Sequence, residues 1–215
     1  HFMLKEINEQ SEVLSYATAS FIDHKSSSVE MLQGLNGIKS ISRLILIACG
    51  TAYYACAVAK YWFEKYAKIP VEIDVASEFR YRDSPLEDKD LVVLVSQSGE
   101  TADTLAALRK VKGKVKKIIS IINVMESSIA RESDFVLPIK AGPEIGVAST
   151  KAFTSQLAVM ASVVIYFASN RQILSKKEIS ELIDALMSAP RLIADVLAKE
   201  EEFKNFALKL ENATS

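Results

Sequence analysis

Between residues 41 and 139, five short runs rich in Val, Ile and Leu recur with helix-like segments between them: RLILIAC, VEIDVA, DLVVLVS, KIISIIN and DFVLPI. No other feature of the chain constrains its fold as strongly. A strand that is apolar at successive positions has to be covered on both faces, and strands joined through helical crossovers run parallel. The pattern therefore predicts an α/β domain built on a parallel sheet. VEIDVA alternates instead, which places it nearer an edge.

Helical additions flank this unit. Residues 4–36 carry a helix-like pattern interrupted by the serine cluster at 26–28, and residues 149–171 and 176–210 are also predicted helical, with Pro190 as a break. In the charged tail, Ile179, Leu182, Ile183 and Leu186, then Leu192, Ile193, Val196 and Leu197, form an amphipathic pattern. Such helices lie against the sheet domain or lead into a following one. The expected division is an N-terminal helical segment over 1–37, the α/β domain over 38–172 and a helical tail over 173–215.

With 215 residues, 49% of them hydrophobic, the chain can bury a sizeable core. Its 26 Lys and Arg against 27 Asp and Glu give a net charge of -1, so it lacks the electrostatic footprint of sequence-independent binding to nucleic acid or anionic membrane. The longest apolar run, near Leu157 to Ala168, is broken by Ser162 and falls short of the roughly 20 residues of a membrane span. A soluble chain is expected. On a helix, the seven positions between Cys49 and Cys56 hold their backbones about 10 Å apart, beyond disulfide reach, which suits a reducing cytoplasm. The chain opens at His1 rather than at an initiator methionine and shows no export signal, as a piece of a longer protein would.

In open parallel sheets, ligands bind where the chain leaves a strand and enters a helix. Two such exits are chemically unusual: Gly50-Thr51 after the first run, and Ser96-Gln97-Ser98-Gly99-Glu100-Thr101 after the third. At each, a glycine permits close backbone approach, and the next helix offers free amide hydrogens and the positive end of its dipole. Hydroxyls added there make a cradle for a phosphate without a lysine; the P-loop pattern GxxxxGK[ST] is absent, as is GxGxxG at the first exit. Alternatively, Ser98 or Thr101 simply caps a helix beginning at Glu100. One cap does not account for four polar residues. Cys49 suits a small buried apolar role better than that of a nucleophile. A third segment, GPEIGVASTKAF, sets Glu144 and Lys151 around a loop able to close over a ligand, with Ser149 and Thr150 as ordinary caps. In a fourth, ASEFRYRD, the opposed charges of Glu78, Arg80 and Arg82 brace the ligand loops or a subunit contact, or else form a solvated short helix. His1 and His24 sit in no strand-exit loop and are assigned no chemistry.

Together, ACGTA at 48–52, ASEFRYR at 76–82, SQSGETADTL at 96–105 and EIGVASTKAF at 144–153 resemble the sugar isomerase (SIS) fold, and more narrowly the isomerase domain of the glutamine:fructose-6-phosphate aminotransferase family. RESD at 131–134 and HFMLKEI at 1–7 also match that family's pattern. The resemblance implies a five-stranded parallel sheet flanked by helices in a flavodoxin-like three-layer arrangement. It implies a full enzyme that makes glucosamine 6-phosphate from fructose 6-phosphate and glutamine-derived ammonia, with no cofactor or metal. By the same resemblance, Ser96, Gln97, Ser98 and Thr101 hold the sugar phosphate, and Cys49, Gly50, Thr51 and Val147 surround the sugar. The family reads CGTS where this chain has Ala52, one hydroxyl fewer. A homodimer is expected. The family's second SIS half, its acid-base residues and its glutaminase domain have no counterpart here, so the chain is expected to bind fructose 6-phosphate or glucosamine 6-phosphate weakly and to turn nothing over by itself. Two other readings stand: a phosphosugar-sensing regulatory module, and a complete single-SIS isomerase taking its base from Glu78, Glu100 or Glu144.

Overall fold

The computed structural model describes residues 1–23, 26, 28, 29, 35, 38, 41–211 and 213. The expectations for His24 and for helix over 30–34 and 36 fall outside them. Helices α1 (Phe2–Asn8) and α2 (Gln10–Ala19) lead into a small antiparallel pair, β1 (Ile22–Asp23) and β2 (Ser28–Val29). Among the described residues of the predicted helical segment over 1–37, α-helix ends at Ala19. Asp23 competes with helix continuation: its carboxylate accepts from the Ser26 amide at 3.2 Å and from the Ser26 hydroxyl at 2.5 Å, closing a local turn.

The five apolar runs form strands β3 (Arg43–Ala48), β4 (Val71–Val75), β5 (Asp90–Ser96), β6 (Lys117–Ile122) and β7 (Phe135–Pro138). They make one parallel sheet in the order β4-β3-β5-β6-β7. The three inner strands are almost continuously buried, whereas β4 lies at an edge as its sequence predicts, with Val71 and Asp74 its buried residues. Successive side chains point to opposite faces of a strand, so each inner strand feeds two cores. Leu44, Leu46, Leu91, Val93, Ile119 and Ile121 pack on one side with α3 (Gly50–Trp62) and α7 (Lys151–Asn170). Ile45, Ile47, Val92, Leu94, Ile118 and Ile122 pack on the other, where α4 (Ala76–Phe79), α5 (Ala102–Val111) and α6 (Ser128–Glu132) supply the cover. The chain thus has the predicted three layers.

Helix α7 is apolar and long enough to cross a membrane, with a mean hydropathy of 1.5, yet most of it is buried as the central helix of the fold. It packs against α2, α3 and α8 (Lys176–Leu197). Contrary to expectation, α8 runs straight through Pro190, and the break comes near Ala198–Lys199, before α9 (Glu200–Leu210). An interior proline removes one helical hydrogen bond and costs about 3 kcal/mol. Here the cost is offset by tertiary contact, because Pro190 is buried and its carbonyl accepts from the Ser11 hydroxyl of α2 at 2.8 Å. Ile179 and Ile183 are buried in the amphipathic tail, while Leu192 and Val196 are more than half exposed and α9 buries no residue.

Candidate functional site

Strand β3 lies beside β5, with Ala48 opposite Val95, and the chain moves from β3 to β4 on one side but from β5 to β6 and β7 on the other. The strand order reverses between them, so the loops leaving their carboxyl ends diverge and open a crevice. A cavity of about 270 Å³ fills that crevice. Cys49, Thr51 and Ala52 line it from the start of α3, and Ser96, Gln97, Ser98 and Thr101 from the loop after β5. Glu144, Gly146, Val147 and Ser149 line it from the segment before α7, with Thr104 of α5 and Gln156 of α7 also in its wall. Of the predicted site residues, only Gly50 is not in the lining; it is exposed and opens α3 at φ 57°. Val147 is fully exposed where the cavity meets solvent.

The loop after β5 is held from within. The Ser96 hydroxyl accepts from the Gly99 amide at 3.0 Å and lies 3.3 Å from the Thr101 hydroxyl. The Ser98 hydroxyl accepts from the Glu100 amide at 3.2 Å. Gly99 adopts φ 67°, and a β-carbon on it would lie 2.0 Å from the Ser127 hydroxyl oxygen. No other residue fits this turn without moving its neighbours. Serine 96 is buried and therefore organises the loop as much as it faces the cavity.

Helix N-termini distinguish the three walls. Cys49 and Thr101 are the N-caps of α3 and α5, and neither makes a side-chain capping bond, so α5 begins at Ala102 without the cap predicted from Ser98 or Thr101. Two helices of 13 and 10 residues thus present first-turn amides with no side-chain acceptor beside one cavity. Such a pair attracts an anion through free N–H groups and aligned dipoles. The third helix, α7, is closed. Its N-cap Thr150 makes no capping bond of its own, and the Glu144 carboxylate accepts from the Thr150 amide at 2.9 Å and the Ala152 amide at 3.2 Å. Glutamate 144 therefore takes the role expected of Ser149 or Thr150.

Among the described residues lining the cavity, Glu144 is the only charged one. Lys151 turns away: it is buried, and its ammonium donates to Glu9 at 2.7 Å, which holds the Glu9 carboxyl below its usual range. Glu100 also turns away, accepting from the Ser128 amide at 2.6 Å, a bond that likewise depresses its pKa. Neither Glu78 nor Glu100 lines the cavity. A single-SIS isomerase would then have only Glu144 as base, and that carboxylate is already committed to the α7 amides. Arg80 braces the site from outside by donating to Asp103 of α5 at 2.6 Å, and Arg82 pairs with Glu72 at 3.0 Å and with Asp74. Cys56 lies on the sheet side of α3, where burial pushes its thiol up to about 12.

Two supporting residues were not recognised in the sequence. Glu6 of α1 is buried, and its carboxylate accepts from the Ile145 amide at 2.6 Å and the Gly146 amide at 3.0 Å, pinning the segment that carries Val147. Asn123 follows β6; its side chain accepts from the Ala141 amide at 2.9 Å and donates to the Gly142 carbonyl at 2.7 Å, while its own amide donates to the Gln97 carbonyl at 3.3 Å. It couples the loop after β5 to the segment before α7. Replacing Glu6 with alanine strands two amides and is expected to lower stability by about 2 kcal/mol, with Gln restoring part of it. Thermal unfolding of the two variants checks this.

A sequence profile described as SIS domain matches residues 37–166. The chain is 51% identical over 210 residues to a glutamine--fructose-6-phosphate aminotransferase [isomerizing] of Mesorhizobium japonicum, covering 98% of this chain and 35% of that protein. It spans about a third of the length of such curated relatives. Among solved structures, the C-terminal domain of glucosamine-fructose-6-phosphate aminotransferase from Francisella tularensis superimposes with a TM-score of 0.93 at 39% identity, over 99% of this chain and 60% of that one. A glucosamine-6-phosphate deaminase from Thermotoga maritima superimposes with a TM-score of 0.66 at 27% identity, over 89% of this chain and 54% of that one.

Proposed function

Because the chain belongs to the SIS domain family, we propose that its cavity binds the phosphate and sugar of a hexose 6-phosphate, as one SIS half of a glutamine:fructose-6-phosphate aminotransferase. One observation carries this reading: two helix N-termini without side-chain caps converge with Ser96, Ser98 and Thr101 on a cavity that no cation among the described residues lines. Ser96, Gln97, Ser98 and Thr101 take the phosphate, and Cys49, Gly50, Thr51 and Val147 surround the sugar. The whole protein would convert fructose 6-phosphate and glutamine-derived ammonia into glucosamine 6-phosphate in the cytoplasm, as a homodimer. Residues 38–172 are the proposed SIS unit, with 1–37 packed on it and 173–215 leading to a second SIS half.

Moving a proton between adjacent carbons of a sugar requires a base near both. Among the described residues lining the cavity Glu144 is the one carboxylate, and it is bound to the start of α7, so these residues would anchor the phosphate without supplying a free base. Fructose 6-phosphate is expected to bind weakly in calorimetry, and no glucosamine 6-phosphate should form from fructose 6-phosphate and ammonia. Product above the uncatalysed background would overturn the assignment of the acid-base groups to another part of the protein.

A further inference from the structure

Two nearly inaccessible side chains of the cavity wall each hold an oxygen without a hydrogen-bond partner among the described residues. Gln156, on α7, is 2% exposed, and its amide oxygen has no partner among the described residues; Thr104, on α5, is 1% exposed, and its hydroxyl oxygen likewise has none. Leaving such atoms unpaired costs a folded protein stability, and few native groups are so placed without a reason. Both line the crevice that holds the proposed phosphate site, Thr104 from the first turn of α5 and Gln156 from the second turn of α7. The fully ionised phosphate group of a sugar ester carries no proton to donate and cannot satisfy an amide oxygen. A sugar hydroxyl can, and a threonine hydroxyl can donate to or accept from another.

We propose that Gln156 and Thr104 form a hydroxyl-reading subsite which distinguishes a polyhydroxylated phosphate ester from a bare phosphate. This rests on the proposed function, since it presumes that the ligand's phosphate sits at the start of α5. Their two unpaired oxygens would accept from, or in the case of Thr104 also donate to, hydroxyls carried several bonds from the phosphorus. Specificity of this kind is strong because a ligand lacking the hydroxyl leaves the protein's buried polar atoms unpaired.

The test titrates the parent chain, Gln156→Met and Thr104→Val with fructose 6-phosphate and, separately, with inorganic phosphate, and follows the thermal unfolding of each without ligand. Both variants should bind fructose 6-phosphate about 10-fold more weakly while binding inorganic phosphate as the parent does. Their unliganded melting temperatures should equal or exceed the parent's, because an unpaired buried atom has been removed. Unchanged affinity for fructose 6-phosphate in both variants overturns the subsite. So does an equal loss for both ligands, which would mean that these side chains serve the anion or merely shape the cavity. A lowered melting temperature in both variants also overturns it, since the atoms would then be satisfied by an internal water. A parent chain that binds no fructose 6-phosphate contradicts the proposed function instead, so the two failures are distinct.

Discussion

Replacing Gly99 with alanine is expected to destabilise the chain by about 3 kcal/mol and to abolish binding of fructose 6-phosphate. Part of the cost is conformational, because φ 67° is left-handed backbone that an L-residue adopts at about 1 kcal/mol. The larger part is steric. The new β-carbon would meet the Ser127 hydroxyl oxygen at 2.0 Å and its β-carbon at 2.5 Å, and Ser127 is itself the N-cap of α6. The Gly99 carbonyl also accepts from the Ile129 amide at 3.1 Å, so the loop cannot back away without losing α6. For a chain of this size the melting temperature should fall by about 6–12 °C. Adding Ser127→Gly should recover most of the steric loss and leave the conformational one. Gly50 supplies the contrast: it has φ 57° but nothing within 4 Å of its virtual β-carbon, so Gly50→Ala should cost only about 1 kcal/mol.

Ser98→Ala and Thr101→Ala should each weaken fructose 6-phosphate binding about 10-fold, and together about 100-fold or more, since hydrogen bonds to a charged group contribute about 1.5–3 kcal/mol each. Neither hydroxyl serves as a helix cap. The unliganded chain should therefore unfold within a few degrees of the parent, even though Ser98 loses its bond from the Glu100 amide. The residues are close enough to share a ligand, so departure from additivity is expected in a double-mutant cycle. Calorimetric titration beside thermal unfolding separates lost contacts from a lost fold. Intact affinity in both single variants would remove these hydroxyls from the site.

The sheet was legible because its signal is local. An inner strand of a three-layer sheet is covered on both faces, which the apolar run LVVLV within DLVVLVS announces; the alternation of VEIDV marks an edge, although its burial does not follow the alternation, Asp74 being buried and Ile73 only partly so. Of the two strand-exit loops, the one after β5 stands out because a single cap does not account for its four polar residues, whereas Gly50-Thr51 after β3, taken alone, is as readily structural. What could not be read was tertiary. Glu6 reaches across 139 residues to the Ile145 amide, and nothing near Glu6 in sequence marks its carboxylate as an acceptor for a distant loop. Glu144 was recognised as unusual but not as the cap of α7, because Ser149 and Thr150 were nearer in sequence and chemically suited. Pro190 predicts a break because the proline penalty is local, whereas the Ser11 bond that helps to offset it comes from α2. Nothing in the sequence marks Gln156 or Thr104, because their burial and the oxygen that each leaves unpaired among the described residues come from the fold.

Neutral hydrogen-bond donors at the start of α5, rather than a cation, are expected to grip the phosphate. A crystal structure of the chain with bound glucosamine 6-phosphate tests this most directly. The prediction is that phosphate oxygens lie about 3 Å from backbone amides in the Gln97–Thr101 turn and from the Ser98 and Thr101 hydroxyls, with no lysine or arginine in contact. A ligand seated elsewhere, or a phosphate held by a basic side chain, would contradict it.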